Sequence, residues 1–215
     1  MKPPYEITQT ILKRITSISE KIGEVNANYL NKQSPTLRKQ NKIKTIHSSL
    51  QIEGNTLSQE QITALIENKR VIGPEKDVTE VLNAIKVYEN LESFKATDEK
   101  SFLYAHQIMM KGLIANPGKY RNKSVGIVKG LEVAHVAPPF ENVPFLMKDL
   151  FTYLKKSDEI ALIKSCVFHY EMEFIHPFLD GNGRTGRLLV SLLLHDRKVL
   201  AQPVLYLSTF LKANR

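Results

Sequence analysis

The amino-acid sequence predicts an all-α fold, a helical bundle with a single β-hairpin. Apolar residues recur every three or four positions through most of the chain, the spacing of helices that bury one face. Only the stretch 125–136 differs, because two short β-rich runs flank Lys129-Gly130 and Pro138-Pro139 follows them. This stretch is therefore predicted to form the hairpin.

Five helices are predicted in the N-terminal half. The first has an apolar face made of Ile7, Ile11, Ile15, Ile18 and Ile22, and Gly23 is expected near its end. The second spans 37–51, turns Ile43, Ile46 and Leu50 inward, and stops at Gly54-Asn55. The third covers 61–68 behind Ser58 as N-cap, and the last two cover 77–95 and 101–112.

The C-terminal half adds three helices. The sixth starts at Asn142-Val143-Pro144 and runs to 154. The seventh, 159–175, is so apolar that we expect it at the centre of the fold, with Cys166 in the core and one face made of Ile160, Ile163, Val167, Tyr170 and Phe174. The eighth covers 184–197. No linker or repeat separates independent domains.

Composition narrows the class of protein. One cysteine in 215 residues excludes an intrachain disulfide framework. The sequence also has neither an apolar run of membrane-spanning length nor the apolar core of a signal peptide. We therefore expect a cytoplasmic protein. The net charge is +8, and residues 1–50 hold nine Lys and Arg against three acids. These charges lack interleaved aromatic residues, so we favour a solvated helical surface over a nucleic-acid interface.

The stretch 176–187, HPFLDGNGRTGR, concentrates groups suited to phosphate chemistry. Pro177 disfavours helical geometry at His176, which places this imidazole at a helix end as a candidate general base. Asp180 is a candidate for sharing Mg²⁺ with a nucleotide. The segment that follows offers hydrogen-bond donors that suit phosphate oxygens: backbone N–H groups, one amide and two guanidiniums. Its residues are Gly181, Asn182, Gly183, Arg184 and Arg187.

A zinc site is a possible interpretation of His169, Glu173 and His176, which lie close in sequence. Residues 169 and 173 are one helical turn apart, but the spacing is not His-Glu-x-x-His and position 176 falls beyond the expected helix end. Packing of His169 is the favoured interpretation.

The stretch resembles the signature of the Fic family, His-Pro-Phe-x-Asp/Glu-Gly-Asn-Gly-Arg-x-x-Arg, at every defined position. The resemblance implies a Fic-type helical bundle that transfers AMP from ATP to a Ser, Thr or Tyr hydroxyl of a target protein or of itself. It implies His176 as the base, Asp180 as the Mg²⁺ ligand, and nucleotide contacts from 181 to 187, which include Thr185 and Gly186. Relatives that phosphorylate commonly replace a loop glycine, whereas this chain keeps Gly181 and Gly183.

A second resemblance concerns regulation. Residues 49–54, SLQIEG, match the Fic inhibitory motif Ser/Thr-x-x-x-Glu-Gly/Asn, which implies that Glu53 pairs with Arg187 and that Ser49 belongs to the same motif. The predicted division is an N-terminal region 1–56 carrying this inhibitory helix and a catalytic core 57–215, packed as one body. A glutamate at a helix C-terminus also calls for a cation, because the helix dipole is negative there.

The hairpin resembles the Fic flap that holds the target segment beside the active site. In such relatives the second run also contacts ATP through backbone atoms, which places Val133, Ala134, His135 and Val136 among the expected nucleotide contacts. An exposed strand edge would pair with an extended peptide through main-chain hydrogen bonds. A purely structural hairpin is equally compatible with the sequence.

Several alternatives stay open at the level of sequence. The same site supports removal of AMP or transfer of another nucleotide or phosphate, and a non-catalytic interaction module of the Fic fold would bind no nucleotide. Relatives usually continue beyond a segment like 210–215 with paired tyrosines near the adenine, so the preference for ATP is implied only. Apolar helical surface is compatible with a homodimer.

Overall fold

The computed structural model describes residues 4–29, 35–129 and 132–196, together with Val199 and Ser208. Within these ranges the chain forms eight α-helices and one two-stranded antiparallel hairpin. The predicted all-α class is confirmed. None of the described helices is long and apolar enough to cross a membrane.

The helices follow one another along the chain with short connections. Their bounds are α1 (Gln9–Tyr29), α2 (Pro35–Ile52), α3 (Gln59–Ile66), α4 (Glu75–Glu89), α5 (Glu99–Met109), α6 (Val143–Lys156), α7 (Ala161–Ile175) and α8 (Asn182–Asp196). Two bounds differ clearly from the sequence prediction: α1 continues through Gly23, and α4 stops at Glu89 before a 3-10 turn at Leu91–Ser93. Gly lowers helix propensity by only about 1 kcal/mol, which a long helix tolerates.

Helix starts follow local capping chemistry. Ser58 accepts a hydrogen bond from the Gln61 backbone N–H, and the Gln61 side chain accepts one from the Ser58 N–H, forming a capping box before α3. The predicted N-cap is therefore confirmed. Asp98 caps α5 through the Ser101 N–H.

The core forms where α7 and α8 pack together, with α5 against α8 and α6 against α7, while α4 packs on α5 and α2. Four rings from α5, α6, α7 and the α7–α8 turn meet here, with centroids 5.3–6.2 Å apart: Phe102, Phe151, Phe168 and Phe178. The predicted inward face of α2 is confirmed, because Ile43, Ile46 and Leu50 are buried. Phe178 thereby anchors the α7–α8 turn in this aromatic cluster of the core.

The predicted apolar face of α7 is wrong in part. Tyr170 is 70% exposed, Phe174 44% and Ile160 48%, and the Cys166 thiol is exposed rather than in the core. The buried face instead carries Phe168, Met172 and Ile175, with Ile163 beside them. Because α7 is apolar nearly all round, its periodicity could not identify the side that α8 covers. Part of the exposed side lines a groove against α1.

The hairpin pairs β1 (Gly126–Lys129) with β2 (Glu132–Val136) in antiparallel register. Lys129 lies opposite Glu132, and the register shifts by one residue between Ile127 and Val128. Such a shift is typical of a bulge and increases local twist. Gly130 of the predicted turn and Leu131 of the predicted second strand lie outside the described residues, while Lys129, predicted in the turn, ends β1. The role of the hairpin as a flap stays a prediction.

We expect Phe168→Ala to lower the free energy of unfolding by about 3–5 kcal/mol, because the ring is fully buried and its removal leaves a cavity in the core. Urea denaturation followed by circular dichroism measures this change. Tyr170→Ala, two residues away on the exposed side of the same helix, is the matched control and should change it by less than about 1 kcal/mol. Equal losses would contradict the assigned buried face.

Candidate active site

The turn between α7 and α8 places His176 at a sharp bend. His176 ends α7 with φ 49° and ψ 62°, in the left-handed region, and its N–H donates to Met172 O at 2.9 Å. This agrees with the expectation that Pro177 turns the chain here. A non-glycine residue adopts this conformation only where its surroundings hold it. The imidazole is half-buried at the C-terminal end of a core helix.

The middle of the turn is closed by Asn182. Its amide oxygen accepts from the Phe178 N–H and its amide nitrogen donates to Phe178 O, both at 2.9 Å. The side chain is buried, so these bonds satisfy groups that would otherwise be costly to desolvate. The predicted contact of this amide with phosphate stays a prediction, because the structure shows it fastening the loop.

The end of the turn is held by His106 on α5. The Gly118 N–H donates to Nδ1 at 2.8 Å, so Nε2 carries the proton and donates to Asp180 O at 2.9 Å. Its ring stacks on Phe178 with centroids 3.6 Å apart. Burial lowers the pKa of His106 to about 4, which keeps the imidazole neutral at physiological pH.

The first turn of α8 carries backbone N–H groups that have no acceptor inside the helix. The first intrahelical bond runs from Thr185 N to Gly181 O, so the N–H groups of Asn182, Gly183 and Arg184 have no acceptor inside the helix. Gly181 has φ 85°, and a Cβ there would lie 2.6 Å from Met110 Sδ. A glycine is therefore required for this close approach, and the helix dipole favours negative charge at the same point.

Arg184 is buried and pairs with two carboxylates. Its Nη1 donates to Glu80 Oε1 at 3.0 Å and its Nη2 to Asp180 Oδ1 at 2.9 Å. Glu80 on α4 is also buried, and its second oxygen accepts from Asn55 Nδ2 at 2.8 Å. The network thereby connects the segment after α2 with the loop, and it leaves Arg184 with fixed partners.

Arg187 meets the end of α2. Its Nη2 donates to Glu53 Oε1 at 2.8 Å and to Ser49 O at 2.9 Å, and its Nε donates to Ser49 Oγ at 3.1 Å. A Cβ built on Gly183 would lie 2.6 Å from Glu53 Oε1 and 2.7 Å from Arg187 Nη1. The carboxylate of Glu53 therefore lies against the first turn of α8 at Gly183.

Two further ionisable side chains of α7 face α8 near this pair. Burial raises the pKa of Glu173 to about 7, partly offset by Arg187, and the Glu53 charge raises it further. Burial, with a smaller contribution from Arg187, lowers the pKa of His169. A Cβ on Gly186 would lie 3.0 Å from His169 Nδ1 and 3.1 Å from Glu173 Oε1, so Gly186 allows α7 and α8 to approach closely.

Other residues predicted at the site have different surroundings. Thr185 is buried and its hydroxyl donates to Gly181 O at 2.8 Å, while Gly186 faces α7. Val133, Ala134, His135 and Val136 lie on β2, and their contact with a nucleotide stays a prediction. Across the described ranges no three His, Cys, Asp or Glu side chains cluster as a metal site, and this holds for His169, Glu173 and His176 as well.

Three residues that organise the site were given no role in it from the sequence, although Glu80 and Arg121 lie in stretches that resemble the Fic family: Glu80, His106 and Arg121. All are buried polar residues. Glu80 lies one helical turn before the buried Ala84, and His106 one turn after the buried Phe102, so each is a polar residue on an apolar helix face. Polar residues at core positions need partners, and this signal could have marked both. Arg121 lies between α5 and β1, where no periodicity applies.

The fold and the site define a helical-bundle protein in which two core helices meet at a tight turn that ends in a helix N-terminus. Residues 96–194 match the Fic/DOC family. A Fic family protein from Desulfovibrio desulfuricans G20 superposes with a TM-score of 0.93 and 44% identity, covering all of this chain and 66% of that one. Fic-1 from C. elegans shares the fold, with a TM-score of 0.72 and 23% identity over 86% of this chain and 59% of that one. The chain belongs to the Fic/DOC family.

Curated relatives carry the name protein adenylyltransferase. A probable protein adenylyltransferase of Aquifex aeolicus is 34% identical over 116 residues, which is 54% of this chain and 34% of that protein. The protein adenylyltransferase Fic of Nematostella vectensis is 28% identical over 205 residues, 88% of this chain and 45% of that protein. The chain thus spans between a third and a half of the length of these two relatives.

We expect Glu173→Gln to change how stability depends on pH. The pKa of Glu173 is 4.5 in the unfolded chain, and burial raises it to about 7 in the folded one. The free energy of unfolding therefore falls progressively as the pH rises between these two values. The glutamine side chain of the variant does not ionise, so the variant avoids this loss of stability. Relative to the parent, the variant should gain up to about 3 kcal/mol above pH 7 and little below pH 4.5.

Urea denaturation at several pH values measures the difference, with the exposed Glu92→Gln as control. A variant whose stability parallels the parent at every pH would contradict the burial of this carboxyl group.

Proposed function

We propose that this protein transfers AMP from ATP to a Ser, Thr or Tyr hydroxyl of a protein. The hydroxyl oxygen attacks the α-phosphorus, the bond between the α-phosphorus and the bridging oxygen breaks, and pyrophosphate leaves. The His176 imidazole takes the hydroxyl proton. The names of the curated relatives support this reaction, and the arrangement of the loop supports it independently.

The observation that carries the proposal is the junction of α7 and α8. It brings a half-buried imidazole and a helix N-terminus to opposite ends of one six-residue turn, 176–181. Unbonded N–H groups at the start of α8 suit the charge that develops on phosphate oxygens during transfer. The space beside Gly183 is filled by the ends of two long side chains, Glu53 and Arg187, so it would accept an anion once Glu53 moves away.

The residues present also fit a magnesium ion. The Asp180 side chain is 49% exposed, and its Oδ1 already accepts from the Gly181 N–H and from Arg184. Oδ2 has no hydrogen bond to a described residue, so it is available to a cation. Mg²⁺ commonly uses one carboxylate together with nucleotide phosphates, and it would supply countercharge there. Asp180 would hold it.

The pairing of Glu53 with Arg187 supports intramolecular restraint of this reaction. The carboxylate lies where the helix N-terminus would attract a phosphate, and it engages a guanidinium that would otherwise bind the outer phosphates of ATP. Glu53 is 30% exposed, whereas Glu80, which pairs with Arg184, is 3% exposed. The Glu53 contact is therefore the easier of the two to open.

The hairpin is the proposed docking element for the target, through main-chain pairing with an extended segment. Within this proposal the backbone of Val133, Ala134, His135 and Val136 borders the nucleotide. The division at residue 56, the homodimer and the cytoplasmic location stay predictions from the sequence.

We expect Glu53→Gly to increase AMP incorporation on the order of tenfold or more, because it removes the carboxylate from the phosphate position and frees Arg187. Intact-mass spectrometry after incubation with ATP and Mg²⁺ measures the product, and one added AMP that disappears when His176→Ala is introduced would identify the reaction. An added phosphate would indicate kinase chemistry.

The matched control is Glu67→Gly, which makes the same change at the exposed end of α3. Equal AMP incorporation by Glu53→Gly and by the parent would show that Glu53 does not restrain the reaction. Loss of AMP from a pre-labelled protein in the parent alone would point to AMP removal by the same site.

We expect Asp180→Asn to reduce transfer about a hundredfold at fixed Mg²⁺, because the amide keeps the Oδ1 acceptor but loses the negative charge. Initial rates measured in the Glu53→Gly background against Mg²⁺ concentration test this. The exposed Asp158→Asn serves as control and should leave the curve unchanged. An unchanged Mg²⁺ dependence in Asp180→Asn would remove Asp180 from the proposed metal site.

A further inference from the structure

Arg121 makes an unusual set of contacts for a buried charge. The residue is 3% exposed, and its guanidinium donates only to main-chain carbonyls among the described residues. Nε donates to His176 O at 2.8 Å, Nη1 to Lys123 O at 2.8 Å, and Nη2 to Pro138 O and, at 3.3 Å, to Ile175 O. Its own N–H donates to Pro177 O at 2.9 Å.

One group of acceptors is the end of α7. The carbonyls of Ile175, His176 and Pro177 are consecutive, and all three accept from Arg121. The last carbonyls of a helix lack intrahelical donors, and the helix dipole is negative at this end, so a cation stabilises them. Arg121 thereby helps to hold the left-handed conformation of His176.

The other group of acceptors lies at the two ends of the hairpin. Lys123 precedes β1 by three residues, and Pro138 follows β2 by two. The Ala137 N–H donates to Val125 O at 3.3 Å, so both ends are also paired with each other. One planar guanidinium therefore joins the base of the hairpin to the residue that carries the imidazole.

Arginine suits this task because its donors form a planar fork with fixed directions. Burying a guanidinium against carbonyls, without a carboxylate in contact among the described residues, costs desolvation energy that a purely apolar contact would avoid. Burial accordingly lowers the pKa of Arg121, while Glu141 opposes that shift. A lysine has a single nitrogen and could not reach the same acceptors together.

We propose that Arg121 is a positioning residue that keeps the hairpin and His176 in fixed register, so that a segment paired with the hairpin presents its hydroxyl to the imidazole. This inference rests on the proposed AMP transfer. It predicts that loss of the fork impairs transfer while nucleotide binding, which uses the first turn of α8, is retained.

The test compares Arg121→Lys with Arg70→Lys, the same change at an exposed site, both in the Glu53→Gly background. We expect Arg121→Lys to lower the self-labelling rate at saturating ATP by about ten- to a hundredfold, because small misplacement of reacting groups is costly. The Kd for an ATP analogue with a methylene between the α- and β-phosphorus should stay within about twofold of the parent value, and Tm within about 5 °C.

If Arg121→Lys labels itself at the same rate as its Glu53→Gly parent, the proposed coupling between the hairpin and His176 is wrong. Parallel losses of Tm, nucleotide affinity and rate would also overturn it, since they would show a role in folding alone. If Glu53→Gly itself transfers no AMP, the proposed function fails and the coupling is judged by amide hydrogen exchange. Exchange should then accelerate in Arg121→Lys both at 126–136 and at 176–181, and in Arg70→Lys at neither.

Discussion

The sharp turn between α7 and α8 is the constraint on which the rest of the site depends. Six residues must reverse the chain between two core helices, and this forces His176 into a left-handed conformation and Gly181 to a positive φ. Neither is stable without support. Arg121 holds the start of the turn, the Asn182 amide its middle and His106 its end, each through main-chain atoms. The polar residues around the site therefore act first as a scaffold for the loop.

Charge is distributed unequally over this scaffold. Arg184 is enclosed between Glu80 and Asp180, and its network extends through Glu80 to Asn55. Arg187 is held by the end of α2, where Glu53 remains partly exposed. A buried pair is costly to break, whereas a pair with access to water exchanges its partner more easily. One arginine thus serves structure, and the other is the point at which the proposed restraint by Glu53 would act.

Local chemistry explains the elements that the sequence predicted well. The Ser58 cap of α3 and the inward face of α2 were predictable because both depend on neighbours within a few residues. That face carries Ile43, Ile46 and Leu50. The prediction for α7 failed differently. This helix is apolar nearly all round, so its period could not show that Phe168 faces the core while Tyr170 and Cys166 face outward. That choice is made by the neighbouring helices: Phe168 packs on rings of α5 and α6, and α8 approaches α7 closely at Gly186.

The sequence by itself determined the helical class, the loop 176–187 and the resemblance that linked Glu53 to Arg187. These depend on residue types at fixed spacing, which a single chain displays directly. Only the tertiary structure decided which groups fasten the loop: Glu80, His106 and Arg121 come from three separate segments. Their partners are distant in the chain, up to 104 residues for Glu80 and Arg184. Such contacts arise from packing and from the need to satisfy buried polar groups, and no local pattern encodes them.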